Sequence, residues 1–209
     1  MIPGTLYVIS APSGAGKSSL IDAYLHSEPL SQCQRSISHT TRAKRPGEID
    51  GEHYHFIDAS TFTTLVAQGE FIEHAKVFDH DYGTSRKSVE SILAQGCDLF
   101  LDIDWQGARQ VREKIAEICT IFILPPSRQA LEQRLRQRAQ DSEGVVARRM
   151  ITAVSEMSHC HEYDYLIIND DFQQALADLK AVIYATHLQY RQQQSRCQLL
   201  LSKLLATGS

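Results

Sequence analysis

Lys17 and Ser18 stand behind two glycines, Gly14 and Gly16, in the stretch APSGAGKSS at residues 11–19. This grouping suits the holding of phosphate oxygens. Glycines let backbone N–H groups turn inward and approach an anion closely. A lysine at this spacing reaches the outer phosphates of a nucleotide, and the hydroxyl beside it is placed to ligate Mg²⁺. Small side chains fit because the backbone itself is the ligand. The usual pattern opens on glycine, whereas Ala11 stands here; a negative φ accommodates its methyl group. The rival reading is a glycine-rich turn joining a strand to a helix.

Other groups carry chemistry less specifically. Arg42 and Arg45 lie three residues apart, with Tyr54 downstream. Two guanidinium groups and a phenol suit a second phosphate group, and a solvated basic loop is the alternative. Glu73, Tyr82 and Thr84 lie in apolar or turn surroundings; alone they read as a surface glutamate and a structural tyrosine. Asp102 and Asp104 end an apolar run, where period-two alternation sets both on one strand face. Asp102 suits a Mg²⁺ shell, directly or through water, and Asp104 is also a candidate cap for the next helix. His53 and His55 read as one face of a surface strand, since no third ligand has zinc spacing. The His159, Cys160, His161 triplet reads as incidental.

The elements that must position these groups follow from periodicity. Four apolar runs, LYVIS (6–10), DLFLDID (98–104), TIFILP (120–125) and YLIIND (165–170), predict strands buried on both faces. Helical patterns fall at 18–25, 85–95, 127–139 and 172–190. Strands alternating with helices predict an α/β fold, a mostly parallel sheet covered by helices. A fifth strand is expected near 36–38. Residues 39–84 break the rhythm and predict a small inserted subdomain with its own antiparallel sheet. Residues 134–149 hold five arginines and few core-forming residues, which predicts a mobile basic flap. The last stretch, QLLLSKLLATGS, predicts a short amphipathic helix or a frayed end. Its leucines 199, 200, 201, 204 and 205 leave two readings, packing on the same domain or contact with a second copy.

Bulk properties bound the function. The 209 residues suffice for one well-packed domain with insertions. A formal net charge of −4 gives no reason to expect nucleic acid or a membrane surface as partner. No run is long enough for a membrane span and no signal-peptide pattern opens the chain. Five scattered cysteines, odd in number, predict reduced thiols in a cytoplasmic protein.

Taken in order, the phosphate loop, S-x-x-T-T-R-x-x-R, G-E-x-x-x-x-Y, E-F-I-E, Y-G-T-S, L-D-I-D-x-Q-G, P-P-S and the arginine-rich flap resemble guanylate kinase from about residue 5 to about residue 190. The resemblance implies a P-loop kinase core (1–34, 96–126 and 150–209), a mixed α/β GMP-binding insert (35–95) and a lid (127–149). It implies phosphoryl transfer from ATP to GMP with Mg²⁺, with acceptance of dGMP left open. ATP would meet Ala11, Pro12, Ser13, Gly14, Ala15, Gly16, Lys17, Ser18 and Ser19, with Arg134 and Arg138 from the lid. GMP would meet Ser38, Arg42, Arg45, Tyr54, Glu73, Tyr82, Thr84 and Asp104, Glu73 reading the guanine. Lys17, Arg45, Arg138 and Arg149 would supply catalytic charge; Ser18 and Asp102 would serve the metal. Two departures stand in the lid: Arg148 where a lysine is usual, and Ala139 where a glycine follows the arginine. Rival functions are a kinase for another nucleoside monophosphate and a non-catalytic phosphopeptide-binding module of the same ancestry. The intact GKSS speaks against the module, which needs neither phosphate lysine nor metal ligand.

Overall fold

The computed structural model describes residues 3–27, 29, 31–77, 79–138 and 143–206, without the side chains of Arg138, Glu143 and Val145. Five strands among them form one parallel sheet: β1 (Leu6–Ser10), β2 (Cys33–Arg35), β7 (Asp98–Asp102), β8 (Cys119–Leu124) and β9 (Tyr165–Ile168), in the order β2-β7-β1-β8-β9. The two-sided apolar runs explain the centre: Tyr7, Val8, Ile9, Phe100, Leu101 and Ile121 are fully buried. One face packs on α1 (Lys17–Leu25) and α7 (Phe172–His187) through Leu20, Ile21, Leu179 and Ile183. The other packs on α3 (Arg86–Ala94) and α4 (Trp105–Lys114) through Val89, Ala108 and Val111.

Between β2 and α3 lies a second sheet, ordered β4-β3-β6-β5, from β3 (His39–Thr40), β4 (His55–Phe56), β5 (Phe71–Val77) and β6 (His80–Ser85), with α2 (Ala59–Ala67) beside it. The sheet is mixed rather than antiparallel: β3 runs parallel to β4, because α2 does not separate them and a long turn at 41–54 carries the chain back. The fifth core strand also differs from expectation. It is Cys33–Arg35, and Ser36 has already left the ladder, though its N–H still donates to Phe100 O at 2.9 Å. His53 falls in a turn, so only His55 of that pair is in a strand, where it pairs with His39.

The arginine-rich region is more structured than its composition suggests. α5 (Arg128–Arg138) and α6 (Glu143–Met157) bury Leu131, Leu135, Val146 and Ala153 against one another. Ala139 lies outside the described residues. Within the histidine triplet, His159 has a structural contact: it stacks on Trp105 at 3.7 Å and donates through Nδ1 to the Glu162 carboxylate at 2.7 Å, docking the end of α6 on α4. After α8 (Tyr190–Arg196), α9 (Gln198–Leu205) keeps Leu199, Leu200, Leu204 and Leu205 exposed, so these leucines do not pack on their own domain. No helix among the described residues is long and apolar enough to cross a membrane. All five cysteines are free.

Candidate functional site

β1 stops at Ser10 and α1 starts at Lys17, leaving residues 11–16 as a loop at the carboxyl end of the sheet. In an open parallel sheet this end is where ligands bind. Gly14 and Gly16 have φ of 90° and 94°, a region costly for side chains. At Gly16 the approach is also steric: a Cβ would sit 2.3 Å from Asn169 Nδ2. That amide donates to Ala15 O at 2.7 Å, so the end of β9 pins the loop. Asn169 O in turn accepts from Arg134 at 2.9 Å.

β7 pairs with β1 in a register that sets Asp102 against Ile9, so its carboxylate emerges beside the loop. Its two oxygens divide the work: Oδ1 is 2.7 Å from Lys17 Nζ, and Oδ2 accepts from Ser18 Oγ at 2.9 Å. Lys17 also donates to Ile103 O at 3.1 Å, and Arg35 approaches Asp102 to 3.8 Å. Burial alone would raise the Asp102 pKa, but the Lys17 charge and the hydrogen bonds from Lys17 and Ser18 outweigh it and hold the carboxyl below its ordinary range. Asp104 lies beyond the strand end, not on it. It caps α4, accepting from Gly107 N at 2.9 Å.

Across the gap stands the second sheet. A bulge at Phe71–Glu73 breaks the alternation of β5, so Phe71, Ile72 and Glu73 are all buried in succession. Glu73 is 2% exposed. Thr84 Oγ1 donates to its Oε1 at 2.5 Å, and Ser38 Oγ lies 3.0 Å from Thr84 Oγ1. A Cβ on Gly107 would meet Glu73 Oε2 at 2.6 Å, so this glycine lets α4 close over the carboxylate. Burial raises the Glu73 pKa to about 7, with Thr84 opposing and Asp104 adding to the rise. Arg42 pairs with Glu48 at 2.6 Å and lies 5.5 Å from the centre of the Tyr54 ring, which meets Tyr82 at 5.9 Å. Arg45 is exposed, and its backbone N–H donates to Glu48 Oε2 at 2.7 Å.

Both halves face one cleft of about 280 Å³. Of the residues singled out by sequence, Ala11, Pro12, Ser13, Gly14, Gly16, Lys17, Ser18, Ser19, Ser38, Tyr54, Glu73, Tyr82, Asp102 and Asp104 line it. Among the described residues Ala15, Arg42, Arg45, Thr84, Arg134 and Arg149 do not: Ala15 is buried in the loop, Thr84 stands behind Glu73, and Arg149 is half-buried on α6. Arg138 closes α5, with its side chain outside the described set. Sequence reasoning missed Glu156, which lines the cleft and accepts from Ser13 N at 3.3 Å, and it missed Asn169, Arg35 and Gly107. The asparagine ended a recognised strand and the glycine sat in a recognised motif, but neither partner is near in sequence.

The same combination of loop, insert and sheet recurs in known proteins. A family model described as guanylate kinase matches residues 3–186. Guanylate kinases of Salmonella typhimurium and Yersinia pestis are 59% identical over 206 residues, covering 99% of this chain and all of theirs. The crystal structure of guanylate kinase from Anaplasma phagocytophilum superposes with a TM-score of 0.80 at 32% identity, covering 99% of this chain and 98% of that one. With the match spanning both sheets and the cleft between them, the chain belongs to the guanylate kinase family.

Proposed function

We propose that this chain transfers the γ-phosphoryl group of ATP to the phosphate of GMP, giving ADP and GDP. One observation carries the reading: a glycine-rich loop and a buried carboxylate, bonded to the Thr84 hydroxyl that in turn meets Ser38 Oγ, stand across a single cleft from each other. A GMP phosphate oxygen attacks the γ-phosphorus in line, and the bond to the ADP oxygen breaks. The acceptor oxygen is already anionic, so no general base is required. The protein supplies position and charge.

In this reading residues 11–19 cradle the ATP phosphates, and Lys17 neutralises charge on the transferred group. Arg134 and Arg138 serve ATP from a lid at 127–149, and Arg45, Arg138 and Arg149 add transition-state charge. The insert, 35–95, holds GMP: Arg42, Arg45, Tyr54 and Tyr82 on its phosphate, Glu73 with Ser38 and Thr84 on its base, Asp104 on the acceptor side. The Arg42, Tyr54 and Tyr82 cluster supports the phosphate assignment. Ser18 and Asp102 present hard oxygen donors side by side, a set that fits Mg²⁺ completed by substrate phosphates. When bound there, the ion would neutralise charge between the phosphates. A cytoplasmic setting agrees with five free thiols. Self-association through α9, supported by its exposed leucines, would show as a dimer or larger by light scattering that truncation after Gln194 abolishes. The activity itself is tested by ADP release from ATP with GMP, AMP, CMP or UMP. Release with GMP alone is expected; equal release with any other would remove the base assignment.

A further inference from the structure

The loop at residues 11–16 already engages an anion of the protein's own. Ser13 donates its backbone N–H to Glu156 Oε2 at 3.3 Å, and Glu156 lines the same cleft as Lys17 and Ser18. The N–H groups of such a loop are the ligands by which it holds phosphate oxygens. The cleft is also poor in free positive charge: Lys17 is matched by Asp102 at 2.7 Å, while Glu73, Asp104 and Glu156 add three further acids.

The fold forces this placement. Val146, Met150, Ala153 and Met157 recur at helical spacing and turn one face of α6 toward Leu131 and Leu135. Leu135 in turn packs at the loop, 3.1 Å from where a Cβ on Gly14 would lie. Glu156 follows Ala153 by three residues, so it falls on the adjoining face, toward the loop. Burial, with Asp104 adding, pushes its pKa up, while the Ser13 N–H and Lys17 pull it down. Burial prevails and leaves the pKa above the ordinary carboxylate value, while the two groups that favour charge on Glu156, the Ser13 N–H and Lys17, are groups a phosphate would also use.

We propose that Glu156 competes with phosphate for the Ser13 N–H, so that any phosphate ligand must displace it. This rests on the proposed placement of the donor triphosphate at the loop. Displacement subtracts the same amount from every such ligand. A nucleoside triphosphate offsets it through contacts to base and sugar; inorganic phosphate and pyrophosphate bring nothing else, and are held off the donor site.

Calorimetric titration of pyrophosphate, with chelator present, into the full-length wild type, Glu156→Gln and Glu156→Asp tests this. Glutamine keeps the size and removes the charge; aspartate keeps the charge. The expected result is pyrophosphate binding about tenfold tighter in Glu156→Gln, near wild-type in Glu156→Asp, and GMP affinity within threefold in all three. Equal or weaker binding by Glu156→Gln overturns the proposal, as does equal tightening in both variants, which would be a packing effect. Pyrophosphate binding by none of the three, with GMP still bound, overturns the donor-site reading itself.

Discussion

Asp102 meets Lys17 at 2.7 Å with one carboxylate oxygen and leaves the other to the Ser18 hydroxyl. The pair lies about one-fifth exposed, at 19% and 17%. The lysine therefore serves two ends. In the proposed reaction it is the positive charge of the loop at residues 11–16, and in the fold it is the partner that keeps a largely buried aspartate ionised.

Lys17→Ala should consequently fold but lose stability as well as turnover. Removing one partner strands a charge, and with partial solvent screening the cost is about 1–3 kcal/mol. Turnover should fall at least a hundredfold, as for other lost transition-state partners. In a double-mutant cycle, Lys17→Ala with Asp102→Ala should recover part of the stability and none of the activity. Denaturant melts beside an ADP-release assay measure both; a folded Lys17→Ala protein at near wild-type rate would end the loop assignment.

Glu73 sets up an opposition between stability and binding. Its folded pKa is raised to about 7, above the ordinary carboxylate value. The protonated form is the one the fold prefers, so its stability contribution is full below about pH 4.5 and is lost as pH rises through 7. Glu73→Gln, neutral at every pH, should be more stable than wild type at pH 8 by up to about 3 kcal/mol and indistinguishable near pH 4.5. GMP affinity of the wild type should move the other way and weaken as pH falls below 7, since guanine N1–H and N2–H₂ need acceptors. Thermal melts and GMP titrations across pH 5–8 check both slopes; flat profiles would contradict the burial argument.

Asn169 holds the loop at residues 11–16 from the carboxyl end of the edge strand β9. Asn169→Ala leaves Ala15 O without its buried donor, at a cost of about 1–3 kcal/mol. The loop then loses its fixed shape, so KM for ATP should rise about tenfold while KM for GMP stays near wild type. Gly16→Ala should be worse, because the new Cβ meets the Asn169 amide and φ is positive. Steady-state kinetics with each substrate varied in turn separate these effects from general unfolding.

At the opposite end of β7 the same strand carries a purely structural site. Asp98 accepts from Thr5 N at 2.7 Å and Ser31 Oγ at 2.5 Å, and contacts His187 Nε2 at 2.7 Å. Burial would raise its pKa, but these three partners hold it below the ordinary range. Its contribution is therefore present above about pH 4 and lost below, as pH falls through the folded pKa. Asp98→Asn should cost about 2–4 kcal/mol and leave KM for GMP unchanged. A shift in KM as large as the loss of stability would show that this end of the sheet communicates with the cleft.

The sequence showed best what its chemistry makes local. The glycine-rich loop and four of the five strands of the parallel sheet needed only short spacings or apolar runs. β2 was displaced by three residues because only Ser36 of residues 36–38 still bonds the parallel sheet, at Phe100 O, while Ser38 O already accepts from His55 N in the insert. α6 was hidden by its arginines, although Val146, Met150, Ala153 and Met157 mark one apolar face. α4 was passed over because its buried residues are small: Gly107, Ala108 and Val111. Glu156 and Asn169 act across 143 and 154 positions of chain, on backbone groups rather than side chains, and no local pattern encodes such a pairing.

The central claim is that one cleft brings a donor phosphate to a nucleotide chosen by the Glu73 carboxylate. Guanine presents two donors side by side; adenine presents a lone pair at N1, which would face a buried negative charge. The most direct measurement is kcat/KM for GMP and AMP in the wild type and in Glu73→Gln. The account predicts a fall in GMP efficiency of roughly ten- to several-hundredfold in the variant, with the GMP-to-AMP ratio falling alongside. An unchanged ratio would contradict it and return Glu73 to a structural role beneath the second sheet.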